Sequence, residues 1–295
     1  MLTRRMFLLL VGAAAAGCAQ SGGPQQLRLA SGESAGTYFQ FARLLADASR
    51  DSRIRMVPIE TDGSRTNIRL LLDDAAELAL SHADAVPQRT DLAGSGLAAI
   101  GRVYENYVQL VVRADSEYSA LTELRGRRIV LGAPGSGVAA VTAPRLLSAA
   151  EMTEEVDARY MNLTDAIGSL ERGDIDALIW GSGYPTPALA RRGFRFLSLG
   201  PNIEALQNAY PGLYDHVQLP GTTIDTVGVA NLLLTRRHLP SEAASEVVHI
   251  LVNKARDLIP AHALGTQFLD MRSLIGTRPV PLHPGAAEAY RRLHG

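Results

Sequence analysis

The chain has 295 residues, 46% of them hydrophobic, with 29 basic and 30 acidic side chains and a net charge of −1. Without Arg4 and Arg5, which lie in a segment read below as removed, 27 basic residues face 30 acidic ones and the charge becomes −3. That balance, with no basic stripe, argues against nucleic acid as a partner, and a single cysteine excludes a disulfide framework.

The first residues read as an export signal. Arg4 and Arg5 form a basic region, Met6 to Ala16 an apolar one, and Ala15-Ala16-Gly17 precede Cys18. The apolar stretch is too short for a comfortable transmembrane span. Thr3-Arg4-Arg5-Met6-Phe7-Leu8 is similar to a twin-arginine signal, and Ala-Ala-Gly-Cys to a bacterial lipobox, with Ala15 where Leu is usual. Residues 1–17 are therefore expected to be removed and Cys18 to be lipidated, tethering the protein at the outer face of the inner membrane. Ordinary cleavage nearby would leave it free in the periplasm. Residues 18–26 read as a tether, and roughly 275 residues remain to bury a core without disulfides.

Beyond the tether, short apolar runs alternate with helical patterns. In chain order, strands are expected at Leu27–Ala30, Arg53–Ile59, Glu77–Ser81, Leu97–Val103, Tyr107–Arg113, Arg127–Leu131, Asp176–Trp180, Phe194–Leu199 and Thr226–Leu234. Helices are expected at Thr37–Ser49, Arg65–Asp74, Val138–Ala150, Leu163–Arg172, Tyr184–Arg192, Ile203–Ala209 and Ser241–Leu258. Pro144 should kink or split the third of these. The alternation predicts an α/β fold with helices on both faces of parallel or mixed sheets. Two long apolar strands, ending at Arg113 and starting at Thr226, read as crossings between two lobes. Lobe 1 would comprise 27–112 plus 225–295, and lobe 2 would comprise 113–224. In such sheets a ligand lies in the crevice at the carboxyl ends of the strands.

One turn stands out. Gly132-Ala133-Pro134-Gly135-Ser136-Gly137 follows an apolar strand and opens a helix. Glycines there let backbone N–H groups crowd a ligand, and the helix start adds partial positive charge. Val138 and Ala139 stand where a nucleotide-binding loop needs Lys and Ser or Thr, so a carboxylate suits the turn better than a triphosphate. A tight turn with no ligand reads equally well. Two more strand-to-helix junctions carry Gly with a hydroxyl, near Ser31, Gly36 and Thr37 and near Gly63 and Ser64. Any one of these is an ordinary cap, whereas three on one crevice would hold an anionic or zwitterionic ligand.

These residues carry a family resemblance. Ala30-Ser31-Gly32, Gly36-Thr37-Tyr38, Thr61-Asp62-Gly63-Ser64, Asn67-Ile68-Arg69-Leu70-Leu71, Glu77-Leu78-Ala79 with Asp84, Leu121-Thr122-Glu123-Leu124-Arg125-Gly126, and the glycine turn form one series. Asp174-Ile175-Asp176-Ala177, Gly183-Tyr184-Pro185-Thr186-Pro187 and Leu282-His283-Pro284-Gly285-Ala286 complete it. From Leu27 onward the chain resembles the TAXI-type solute receptors of tripartite ATP-independent periplasmic (TRAP) transporters. The resemblance implies a type II periplasmic-binding-protein fold, two α/β lobes joined by a hinge of crossing strands, closing on acidic amino acids or related organic acids. It implies a cleft formed by Ser31, Gly36, Thr37, Tyr38, Ser64, Asp84, Gly135, Ser136, Gly137 and, from the second lobe, Tyr184. Tyr107 and Trp180 are added because both border apolar runs directed at the crevice, although core packing would explain them as well. Departures from the pattern are His82-Ala83 before Asp84 and Glu33 at the mouth, where a carboxylate would repel a dicarboxylate or pair with a ligand ammonium. His82 reads either as a pH-sensitive ligand contact or as a satisfied polar residue beside a strand.

Catalysis finds no footing. The seven histidines (82, 216, 238, 249, 262, 283 and 294) show no metal-ligand spacing, and no nucleophile elbow occurs. The carboxylate pairs Asp73-Asp74 and Asp174/Asp176 read as helix and strand boundaries. The expectation is a receptor without metal or cofactor, acting as a monomer, whose partners are a small anionic or zwitterionic solute and the TRAP membrane permease subunits. A sensing module reporting to a membrane signalling partner needs the same cleft, and an enzyme on the same two-lobed scaffold is the third reading.

Overall fold

The computed structural model describes residues 23–34, 36–86, 92, 94–259 and 269–294. The export segment, Cys18 and the start of the tether lie outside the described residues. Ten strands and eight α-helices are used below. The strands are β1 (Gln25–Ala30), β2 (Ile54–Ile59), β3 (Leu78–His82), β4 (Leu97–Arg113), β5 (Arg128–Val130), β6 (Asp157–Arg159), β7 (Ala177–Ser182), β8 (Phe194–Leu197), β9 (Asp215–Gln218) and β10 (Asp225–Arg236). The helices are α1 (Thr37–Ala48), α2 (Ser64–Leu72), α3 (Ala143–Ala149), α4 (Leu163–Arg172), α5 (Gly200–Ala209), α6 (Ser241–Asn253), α7 (Met271–Leu274) and α8 (Pro284–His294).

The sheet runs β2-β1-β3-β10-β4-β7-β5-β6, with β8 added to β4 and β9 to β10. Parallel pairs β1–β2 and β1–β3 lie on one side, and parallel pairs β5–β6 and β5–β7 on the other. The long antiparallel pair β4–β10 runs between them. Register shifts at Asn231/Leu232 and Leu233/Leu234 interrupt that ladder where it leaves the first side. Side chains alternate along the strands to build apolar layers on both faces. On β3, Leu78 and Leu80 join one cluster with Phe41 and Val247, while Ala79 joins another with Leu71 and Leu232. On the other side Ile129 and Ile179 face Leu146 and Leu206, and Val130 and Leu178 face Leu170. The buried clusters change hands between Tyr104 and Val108 on β4 and between Val229 and Leu232 on β10.

Three expectations need correction. Leu97–Val103 and Tyr107–Arg113 are one strand, because the polar residues between them stay in the ladder opposite β10 instead of turning. No helix forms over Tyr184–Arg192; Pro185 and Pro187 lack the N–H a helix needs, and Thr186 is tied to Gln109 at 2.9 Å. The helix expected from Val138 begins as a π-turn (Val138–Thr142) and continues as α3, with Pro144 in the first turn of α3 where its missing N–H is tolerated. The short strands β6 and β9 and the closing helix α8 were not anticipated.

Candidate functional site

Three turns after β1, β2 and β5 converge. Asn67, fully buried on α2, holds two of them: its Nδ2 donates to the Ser31 carbonyl at 2.5 Å and the Leu80 carbonyl at 2.7 Å, while its Oδ1 accepts from Thr61 Oγ1 at 2.6 Å. The third turn, from the opposite side, meets them through glycine. A Cβ on Gly137 would lie 2.8 Å from both the His82 ring and Ser64 Oγ, and one on Gly135, held at φ +81°, would lie 2.8 Å from Asp62 Cβ. Only glycine allows these approaches. The two sides of the sheet thus touch directly, turn against turn.

Between them lies a chamber of about 110 Å³. Tyr38, Ser64, His82 and Asn106 wall it on one side, Ser136, Gly137, Trp180 and Ser182 on the other, and Glu33 and Asp62 stand exposed at its rim. A wider outer cavity of about 780 Å³ shares Glu33, Thr37, Trp180 and Ser182 with it. The wall is a hydrogen-bonded chain. Tyr38 OH donates to Asn231 Oδ1 at 2.6 Å and lies 3.3 Å from Ser64 Oγ, which accepts from the His82 N–H at 3.1 Å. His82 Nε2 meets Asn106 Nδ2 at 2.6 Å, and Nδ1 lies 3.7 Å from Asp84 Oδ1. Burial lowers the pKa of His82 against the opposing charge of Asp84, so the ring is neutral at pH 7. Burial raises that of the Tyr38 hydroxyl. In the glycine turn, Ser136 N donates to the Ala133 carbonyl and Ser136 Oγ accepts from the Ala139 N–H, both at 3.1 Å. The N–H groups of Gly137 and Val138 lead the helix and fall before its first intrahelical donor.

Of the residues singled out from sequence, Gly36, Thr37, Tyr38, Ser64, Ser136, Gly137 and Trp180 line the chamber. Five others lie elsewhere. Ser31 is fully buried and its hydroxyl donates to the Ile59 carbonyl at 2.6 Å, tying β1 to β2. Asp84 is 2% exposed, and its Oδ2 accepts from Thr142 Oγ1 at 2.7 Å and from Tyr214 OH at 2.8 Å. Tyr107 is buried at mid-strand opposite Gly228 and Ser182. Gly135 shapes the contact with Asp62 without lining the space. Tyr184 packs edge-on against Phe196, with ring centres 5.9 Å apart. Asp62 and Asn106 were overlooked. For Asn106 a signal existed: Glu105-Asn106 are polar residues inside a long apolar strand, and both are buried. Asp62 carries no such mark, being one more acidic turn residue.

Among the described residues no group of three or more His, Cys, Asp or Glu side chains is arranged to hold a metal ion, and no helix is long and apolar enough to cross a membrane. The chain belongs to the NMT1-like family, whose model matches residues 29–292. Its fold is that of the type II periplasmic binding proteins. A protein from Bordetella bronchiseptica RB50 is similar at 12% identity and a TM-score of 0.57, over 92% of this chain and 98% of that one. A protein solved bound to L-arginine aligns at 12% identity and TM-score 0.54, over 83% of this chain and 93% of its own. The substrate binding protein of an amino acid ABC transporter aligns at 12% identity and TM-score 0.50, over 79% and 95%.

Proposed function

We propose that the protein is an extracytoplasmic receptor that captures a small carboxylate-bearing solute by closure of two lobes, 27–112 plus 225–295 against 113–224, and delivers it to a TRAP-type secondary transporter. The observation that carries this reading is a chamber walled from both sides of the β4–β10 crossing, with Ser64 and Tyr38 on one side and the Gly137 turn on the other. A carboxylate there accepts from the leading N–H groups of the helix at Gly137 and Val138, and from the hydroxyls of Thr37 and Ser64. Contacts from both sides exist together only in the closed arrangement, so the solute shifts the population toward it. Lobe closure then changes the outer surface that a permease meets. The TAXI-like motifs favour a TRAP permease as the partner, and the export segment with Cys18 favours a position outside the cytoplasm.

Trp180 is the only tryptophan and lies in the chamber wall, so its fluorescence reports occupancy. Titration with a library of small carboxylates is expected to give a saturable change with at least one compound. Ser136→Asp, which sets a negative charge beside the Gly137 N–H, is expected to abolish that change while leaving the melting temperature without solute nearly unaltered. Wild-type affinity in this variant, or no response from any compound, counts against the reading.

A further inference from the structure

The chamber is furnished for a positive charge as well as a negative one. Among the described residues no lysine or arginine lines it or its outer cavity. Glu33 and Asp62 stand at the rim, and Glu60 and Asp165 belong to the same mouth or its border. Glu60 accepts from the Ser34 N–H at 2.8 Å and Asp165 from Asn162 Nδ2 at 2.8 Å. The carboxylates of Glu33 and Asp62 have no hydrogen-bond or ion-pair partner among the described residues. Partial desolvation at the rim raises the pKa of Glu33, and the charges of Asp62 and Glu60 raise it further, so the rim carboxylates repel one another.

A separate observation at the floor points the same way. Asn106 lines the chamber, is 4% exposed, and its Oδ1 has no hydrogen-bond donor. Its orientation is fixed by its neighbours. With Nδ2 donating to His82 Nε2, the ring proton sits on Nδ1, toward Asp84 Oδ1. Turning the amide over would place a proton on Nε2 and aim the lone pair of Nδ1 at a carboxylate. Asn106 therefore offers an acceptor, and a buried acceptor without a donor is costly.

Resting on the receptor reading above, we infer that the solute carries a protonated nitrogen in addition to its carboxylate, bound by the acceptor set of Glu33, Asp62 and Asn106, and that the site disfavours dicarboxylates. A cleft lined by one sign of charge attracts the opposite sign and repels its own. The size fits a short amino-carboxylate. At about 110 Å³ the chamber is well above the roughly 10–15 Å³ that a single water needs, and so has room for several non-hydrogen groups.

Calorimetry on the full chain with matched probes tests this. One series is 4-aminobutyrate, butyrate and succinate; another is L-alanine, propionate and malonate; a third pairs L-glutamine with L-glutamate. The ammonium-bearing or less acidic member is expected to bind about tenfold or more tightly than its partners. In the E33Q/D62N double variant that preference is expected to shrink about tenfold, with an unchanged or raised melting temperature because repulsion is relieved. A diacid or simple acid that binds as tightly as its amine, a preference that survives the double variant, or no binding by any amine-bearing probe would overturn the inference. A simple acid or diacid that binds best and is lost in Ser136→Asp would leave the receptor reading standing while this one fails.

Discussion

Asp84 and Asp62 belong to the same side of the molecule and both face the glycine turn's side, yet they do opposite things. Asp84 is buried, with Thr142 and Tyr214 from across the crossing on its Oδ2 and the Arg145 guanidinium reaching its carbonyl at 3.3 Å. Asp62 is exposed at the chamber rim, with Gly135 backed against its Cβ and, among the described residues, no partner on its carboxylate. A carboxylate engaged by buried protein donors from across the crossing, as Asp84 is through Oδ2 while its Oδ1 has no donor, is a tie between the two sides. One whose capacity is open, beside a cavity, is available to a ligand. Glu105 on β4 is an intermediate case: Arg102 donates to it at 3.2 Å, while Asp215 crowds it with like charge.

The comparison can be broken by removing each kind of group. Asp84→Ala strips the acceptor from two buried hydroxyls and is expected to cost about 3 kcal/mol, read as a drop in melting temperature with or without solute. A variant that melts like the wild type would mean that Asp84 does not join the two sides. Glu105→Gln should have a smaller, pH-dependent effect. Burial first, and Asp215 second, raise the Glu105 pKa from 4.5 to about 8, against the charge of Arg102. The folded state therefore binds an extra proton between pH 4.5 and 8, and stability contributed by this group falls as pH rises through that window. Chemical denaturation of the wild type from pH 5 to 8 is expected to show that decline, by about 1–3 kcal/mol after allowance for relaxation, and Glu105→Gln to flatten it. The smallest effect is expected at Ser31, where Ser31→Ala removes one bond to the Ile59 carbonyl. A loss of about 1 kcal/mol in stability with unchanged solute affinity would mark it as a strand tie, and a large loss of affinity would return it to the site.

Much of the site was legible because helix starts announce themselves. The Gly36-Thr37-Tyr38, Gly63-Ser64 and Gly135-Ser136-Gly137 junctions each follow an apolar run and open a helix, and all three converge. What misled was the assumption that a polar residue in a motif faces the ligand. Ser31 and Asp84 sit in such motifs but spend their oxygens on neighbouring strands and on Tyr214. The merged strand β4 was obscured by Glu105-Asn106, whose polarity resembles a turn until the opposite partners on β10 are known.

The order of most strands and helices and the glycine turns between them are properties of local pattern, fixed by side-chain periodicity and backbone freedom. Which carboxylate is tied to protein donors and which stands open at the cavity depends on donors more than fifty residues away: Thr142 and Tyr214 reach Asp84 Oδ2, and nothing reaches Asp62 among the described residues. Hydrogen-bond capacity is saturated by whatever lies within about 3 Å in space, and sequence distance carries no information about that. The folding of the chain back across β4 and β10 decided it.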